Sequence, residues 1–304
     1  MLAALFTSGA LCASAKDYHY TTVPGDAMQT RIYTLDNGLK VYMSVNKEKP
    51  RLQVNIAVKT GSRNDPAETT GLAHYLEHLM FKGTKKFGTI DAAKEKPYLD
   101  EITRRYETYR KLTDPAQRKQ AYHEIDSISQ LAAKYNIPNE YDKLMSSIGS
   151  EGTNAYTSND VTCYVENIPN NEIENWAKVQ SDRFQNMVIR GFHTELEAVY
   201  EEKNISMASD ATKEFAALWS LLTPTHPYGT QTTIGASISG NLNSCGPIFT
   251  PPPQLQTNLR HVQALRAFRH WPNARPAFLP TLVLHPVLQT SMGITEHGLR
   301  EVRQ

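Results

Sequence analysis

Alternation of apolar and polar positions marks the first readable stretch of the chain. "TRIYTL" and "LKVYMSV" flank Asp36-Asn37-Gly38, and "LQVNIAVKT" alternates after them. A period of two around an Asn-Gly turn predicts antiparallel strands over residues 29–60. The period then changes to that of a helix, from about Thr70 to Lys82. Residues 95–146 are charged, rich in tyrosine and helical in period. Leu99, Ile102, Tyr106 and Tyr109 form one apolar stripe; Tyr122, Ile125, Ile128 and Ala132 form another, after a break at Thr113-Asp114-Pro115. This pattern predicts a helical hairpin inserted into the domain, with a solvated structural role and no chemistry.

"GTNAYTSNDVTCYVENI" returns to strand character, and two amphipathic helices come next in "NNEIENWAKVQSDRFQ" and "TELEAVYEEKNISMAS". In the second, Thr194 and Glu197 have the spacing of a capping box, which predicts a helix start at Thr194. From about Ala236 the chain is rich in Pro, Arg and His and keeps no sustained period, so residues 236–304 read as an irregular tail, as a frameshifted or disordered end would. The fold class expected is α+β: a two-layer domain of mainly antiparallel sheet packed by helices, with an inserted helical hairpin.

Composition narrows the function classes. A chain of 304 residues can bury a sizeable core. A net charge of +1 gives no reason to expect nucleic acid as partner. Three cysteines are neither a disulfide framework nor a zinc ribbon. No segment is apolar for long enough to span a membrane. The opening "MLAALFTSGALCASA" is apolar and ends in the small-x-small Ala13-Ser14-Ala15. It predicts a signal peptide over residues 1–15, cleavage after Ala15, and a periplasmic or secreted location. Cys12 comes after Leu11, which is too large for a lipoprotein cleavage site.

The candidate chemistry lies in "TTGLAHYLEHLMFKGT", where His74, Glu77 and His78 fall within five positions of a helix. Residues four apart share a helical face, so His74 and His78 can hold one ion. Two neutral imidazoles suit zinc, and Glu77 could reach a water on that ion. H-x-x-E-H is a metallopeptidase signature, although so short a motif also arises by chance. A third ligand is needed. On the later helix Glu195 and Glu202 stand seven apart, two turns, and project from nearly the same angle, whereas Glu197 and Glu201 project elsewhere. The same four carboxylates could also be a solvated face.

Three motifs in order, "GLAHYLEHLMFKGT", "GTNAYTSNDVTCYVENIP" and "ELEAVYEEKN", closely resemble the N-terminal catalytic domain of the M16 zinc metallopeptidases, the family of pitrilysin, insulin-degrading enzyme and the mitochondrial processing peptidase. The resemblance runs from about Met28 to Gly235, and the insertion near 95–146 resembles a variant of exported bacterial members. It implies that His74, His78 and Glu202 are zinc ligands, with Val199 in its expected place between the two glutamates. It implies that Glu77 is the general base and that Glu195 supports the site from behind the ligands. "TNAYTS" resembles the edge strand that holds substrate backbone, which implicates Asn154 and Ala155. From the expected cleavage site to the end of the resemblance, the domain is 16–235.

The resemblance further implies a zinc-dependent endopeptidase with one Zn2+ per chain, acting on peptides or unfolded segments through a metal-activated water. Members carry a second, metal-free domain that closes over substrate, and the stretch after Gly235 has no such pattern, so a second M16-type domain or chain is the expected partner. The alternative is a peptide-binding subunit that hydrolyses nothing without its partner chain. An intact Glu77 speaks against a purely structural zinc site, which needs no base.

Overall fold

The computed structural model describes residues 18–36, 38–67 and 70–231, with the paired backbone of 281–282. The chain starts with strands β1 (Tyr20–Thr21), β2 (Arg31–Thr34), β3 (Lys40–Ser44) and β4 (Arg51–Val58). Four helices come next: α1 (Leu72–Leu79), α2 (Ala92–Tyr109), α3 (Pro115–Ala133) and α4 (Glu140–Ser147). Then come strands β5 (Glu151–Thr157) and β6 (Thr162–Pro169), and helices α5 (Ile173–Asn186), α6 (Phe192–Ala208), α7 (Asp210–Leu222) and α8 (Pro227–Thr230). Thr281–Leu282 forms the short strand β7. The fold class is α+β, with antiparallel sheets packed against helices.

One sheet has the order β1-β2-β3-β7 and the other β4-β6-β5. The turn predicted at Asp36-Gly38 joins β2 to β3 with Thr34 opposite Lys40; Asn37 itself lies outside the described residues. Strand β4 shows why alternation is informative. Leu52, Val54 and Ile56 are buried beneath α4 and α5, while Arg51, Gln53 and Asn55 are half-buried on the other face. Strand β6 pairs with β4 along its whole length and with β5 on its other side, so β5 is left as an edge among the described residues.

Two clusters make up most of the core. Leu52, Val54, Ile168, Trp176 and Phe184 lie between the second sheet and α4 and α5. The other cluster joins α1, α2, α3 and α6 through Leu72, Tyr75, Tyr106, Ile125, Phe192 and Val199. Each large apolar side chain removed from water contributes about 1.5–3 kcal/mol, so both layers are held mainly by burial.

The stripes read from the sequence are the inward faces of α2 and α3, with Ile102, Tyr106, Ile125 and Ala132 buried. Asp91 and Asp114 cap the two helices by accepting backbone N–H bonds, and Pro115 occupies the first turn of α3. The expectation of a solvated hairpin is therefore corrected. Its outer faces are wet, but its inner face completes the core behind α1 and α6.

A second correction concerns the start of α6. The helix begins at Phe192 with Gly191 as cap, so Thr194 lies inside its first turn and is not the N-cap. Burial of Phe192 and His193, at 4% and 5% exposure, extends the helix backwards past the local capping signal. The "DATKEFAALWSLL" segment, which carried no expectation, forms α7, and none of its residues is buried. Among the described residues no helix is long and apolar enough to cross a membrane. The signal peptide expected over 1–15 and the tail expected over 236–304 lie outside the described residues, apart from β7.

Candidate metal centre

Helix α1 is fixed at both ends and in the middle. At its start, the buried Asp65 carboxylate accepts from the backbone N–H groups of Gly71 (2.7 Å) and Ala73 (2.9 Å). In the middle, the Tyr75 hydroxyl donates to the carbonyl of Phe192 in the first turn of α6. Past its end, the buried Arg183 donates Nε–H to the Met80 carbonyl at 3.0 Å. The guanidinium of Arg183 lies 4.5 Å from the Phe81 ring centroid and 4.4 Å from that of Tyr141. A helix held in this way presents its polar face at a set angle.

That face carries His74 and His78, whose Nε2 atoms lie 3.2 Å apart. Glu202 of α6 approaches with Oε2 3.6 Å from His74 Nε2 and 3.5 Å from His78 Nε2. Donors bound at about 2.0–2.2 Å around a tetrahedral zinc stand roughly 3.3–3.6 Å from one another, so this donor set fits such an ion. Among the described residues, His74, His78 and Glu202 are the group of three whose ligand atoms all converge within 4.8 Å. The Glu202 side chain remains 45% exposed, which keeps the site open to solvent on that side.

The outer contacts of the two histidines differ. His78 Nδ1 lies 2.8 Å from Glu195 Oε1, which directs its Nε2 towards the cluster, whereas His74 Nδ1 is buried and has no hydrogen-bond partner among the described residues. Burial, reinforced by the neighbouring His78, lowers the His74 imidazole to about 4, which favours the neutral, ligating form. For His78 burial pulls the same way, but the Glu195 and Glu202 carboxylates outweigh it and raise the ring to about 9. Burial also opposes the Glu195 carboxylate, yet hydrogen bonds from His78 and Lys82 hold it below its ordinary value.

Glu77 is buried on the same helix, at 6% exposure. Burial raises its carboxyl above the usual range, opposed by a hydrogen bond from Thr157. Thr157 Oγ1 donates to Glu77 Oε2 at 2.6 Å, leaving Oε1 as the oxygen not engaged by this threonine. Thr157 is the last residue of edge strand β5. Two and three positions earlier stand Ala155, opposite Tyr164, and the exposed Asn154, opposite Val165. A register shift between Glu151 and Asn154 bends the strand just before them.

The structure thus brings His74, His78 and Glu202 together, places Glu195 behind His78, and sets Glu77 between the cluster and the edge strand that bears Asn154 and Ala155. Glu197 and Glu201 are exposed. Sequence reasoning passed over two residues of the site. Thr157 shares a strand face with Ala155, so a period of two from that residue points to it. Lys82 lies four positions after His78, and its ammonium pairs with Glu195 Oε2.

Comparison with known proteins gives a partial match. Residues 40–96 match the family described as insulinase (peptidase family M16). Over 69 residues the chain is 42% identical to "Probable mitochondrial-processing peptidase subunit beta, mitochondrial" of Arabidopsis thaliana, covering 23% of this chain and 13% of that protein. It is 40% identical over 73 residues to mitochondrial-processing peptidase subunit alpha of Bos taurus, covering 24% and 14%. Human insulin-degrading enzyme is 36% identical over 69 residues, covering 23% and 7%. The chain therefore matches only a small part of each of these relatives. In fold it is similar to the crystal structure of pitrilysin, with a TM-score of 0.50 and 16% identity, over 88% of this chain and 26% of that one.

Proposed function

We propose that this chain carries the zinc-binding catalytic domain of an M16-type metalloendopeptidase, and that it hydrolyses peptide bonds in peptides or unfolded segments. The observation that carries this reading is the convergence of His74, His78 and Glu202 beside the buried carboxylate of Glu77. His74 Nε2, His78 Nε2 and Glu202 Oε2 would hold the ion. A zinc ion bound there supplies Lewis acidity and lowers the pKa of a water towards neutrality.

The remaining work falls to the protein's own groups. Glu77 receives the proton of the attacking water on Oε1 and returns it to the leaving amine, while Thr157 holds Oε2. Substrate in extended form adds to the edge of β5 by backbone hydrogen bonding at Asn154 and Ala155. Recognition through backbone favours unfolded or short substrates over folded ones.

The catalytic domain is assigned to residues 16–235, with the 95–146 hairpin inserted, after an export signal over 1–15. A partner domain or chain of M16 type is supported by relatives named as alpha and beta subunits. The apolar residues Phe215, Leu221 and Leu222, exposed on α7, also suit a covered surface. The test is zinc content and turnover of a quenched peptide by the purified chain and by Glu77→Gln. One zinc in both, with turnover reduced by about 10²–10⁴ in the variant, supports the reading. Equal turnover with metal intact would remove Glu77 as base. Zinc without turnover, relieved by adding a second M16-type chain, would favour the partner-dependent subunit.

A further inference from the structure

Lys82 lies just beyond α1 in the loop that leads to the helical hairpin, and this loop is tightly fixed. Its carbonyl accepts from Arg190 Nη1 at 2.9 Å, and the Thr84 carbonyl accepts from Arg190 Nη2 at 3.2 Å. Arg190 in turn makes a two-pronged ion pair with Glu95 of α2, at 2.5 and 2.7 Å, both side chains being buried. The loop closes around this guanidinium through Gly83 and Gly88. Both have positive φ, +107° and +86°, and a Cβ on either would come within about 3 Å of Arg190 Nη1 and closer still to backbone atoms.

The fixed backbone delivers the Lys82 ammonium to Glu195. That carboxylate, only 13% exposed, divides its oxygens between two donors: Oε2 pairs with Lys82 Nζ and Oε1 meets His78 Nδ1 at 2.8 Å. Without the ammonium, Oε2 would lose its charged donor and the carboxylate could turn away from the histidine. An ordinary surface ion pair would do little more than add slightly to stability. This one terminates on the group that orients a candidate metal ligand.

We propose that Lys82 is a positioning residue of the metal centre: it fixes Glu195 so that His78 Nε2 faces the metal, and the Glu95–Arg190 pair wires this clamp to the helical hairpin. The proposal rests on the metal site described above. The hairpin thereby takes part in setting metal affinity as well as in filling the core. Outer partners of metal ligands commonly change metal affinity by about 10–100-fold when removed.

The experiment is zinc affinity of the full chain, by chelator competition, for the unaltered protein, Lys82→Met, Lys82→Arg, Glu195→Gln and the Lys82→Met/Glu195→Gln pair. Lys86→Met is the control: Lys86 lies in the same loop but pairs with Asp182. Lys82→Met is expected to weaken zinc by about 10–100-fold. Lys82→Arg should recover most of the loss, and the control should match the unaltered protein. Since Lys82 acts through Glu195, the double variant should bind as Glu195→Gln alone does. Urea midpoints of the metal-free variants, together with the arginine rescue, separate this from misfolding. Zinc bound by the unaltered protein and equally by Lys82→Met, or fully additive losses in the double variant, would overturn the clamp alone. No zinc binding by the unaltered protein would overturn the metal site and the clamp with it.

Discussion

Thr157 and Glu77 are joined by a 2.6 Å hydrogen bond that ties the end of the edge strand to the carboxylate beside the candidate metal-ligand cluster. The strand on which a substrate would lie and the group that would move its proton are thus one mechanical unit. Movement of β5 on substrate docking would be felt at Glu77 without any intermediate contact.

Thr157→Val removes the hydroxyl and keeps the shape. A hydrogen bond to a charged group is worth about 1.5–3 kcal/mol, so kcat should fall by roughly 10–100-fold while zinc content stays at one per chain. Thr157→Ser should restore most of the rate. Steady-state kinetics on a quenched peptide checks this. A fall confined to KM would place Thr157 in substrate binding and not in holding the base.

Asp65, which anchors the start of α1, is expected to make stability depend on pH. Burial raises its carboxyl from 3.8 to about 6, against the hydrogen bonds it accepts from Gly71 and Ala73. Between about pH 4 and 6 the folded chain keeps a proton that the unfolded chain has released. Its contribution to stability is therefore complete below about pH 4 and is lost as pH rises through about 6, on the order of 3 kcal/mol. Urea unfolding of the metal-free chain at pH 4, 5, 6 and 7 should show the decline, and Asp65→Asn should make it shallower. Parallel curves for the two proteins would show that another group is responsible.

Ile125, fully buried in α3, tests whether the hairpin belongs to the core. Ile125→Ala should destabilise the domain by about 2–5 kcal/mol, whereas Leu131→Ala, at 40% exposure, should change it by less than ~0.5. Equal, small effects in urea melts would return the hairpin to a peripheral role.

The features legible in the sequence were those of short range. The pairing of β2 with β3, the alternation of β4 and the two stripes of the hairpin arise from local period and turn chemistry. So does the shared face of His74 and His78, because four residues complete about one helical turn. The surfaces that the stripes cover were not legible, since Tyr106 and Ile125 meet α1 and α6 only in the folded chain. The capping signal at Thr194 was outweighed by the burial of Phe192, a tertiary effect absent from the local pattern. Glu195 meets His78 across 117 residues of sequence. Spacing alone left its helix open to reading as a solvated face, and the ordered motifs singled it out. Thr157 was within reach of a strand-period argument that stopped at Ala155. The Lys82 clamp was not, because it depends on a loop closing around Arg190.

The most direct measurement is zinc stoichiometry of two neighbouring variants on α6. Glu202 Oε2 lies 3.5–3.6 Å from both histidine nitrogens, while Glu201 is exposed to solvent. Elemental analysis after dialysis should find about one zinc per chain in Glu201→Gln, as in the unaltered protein, and little in Glu202→Gln. Zinc retained in Glu202→Gln and lost in Glu201→Gln, or retained in both, would contradict the metal centre built from His74, His78 and Glu202.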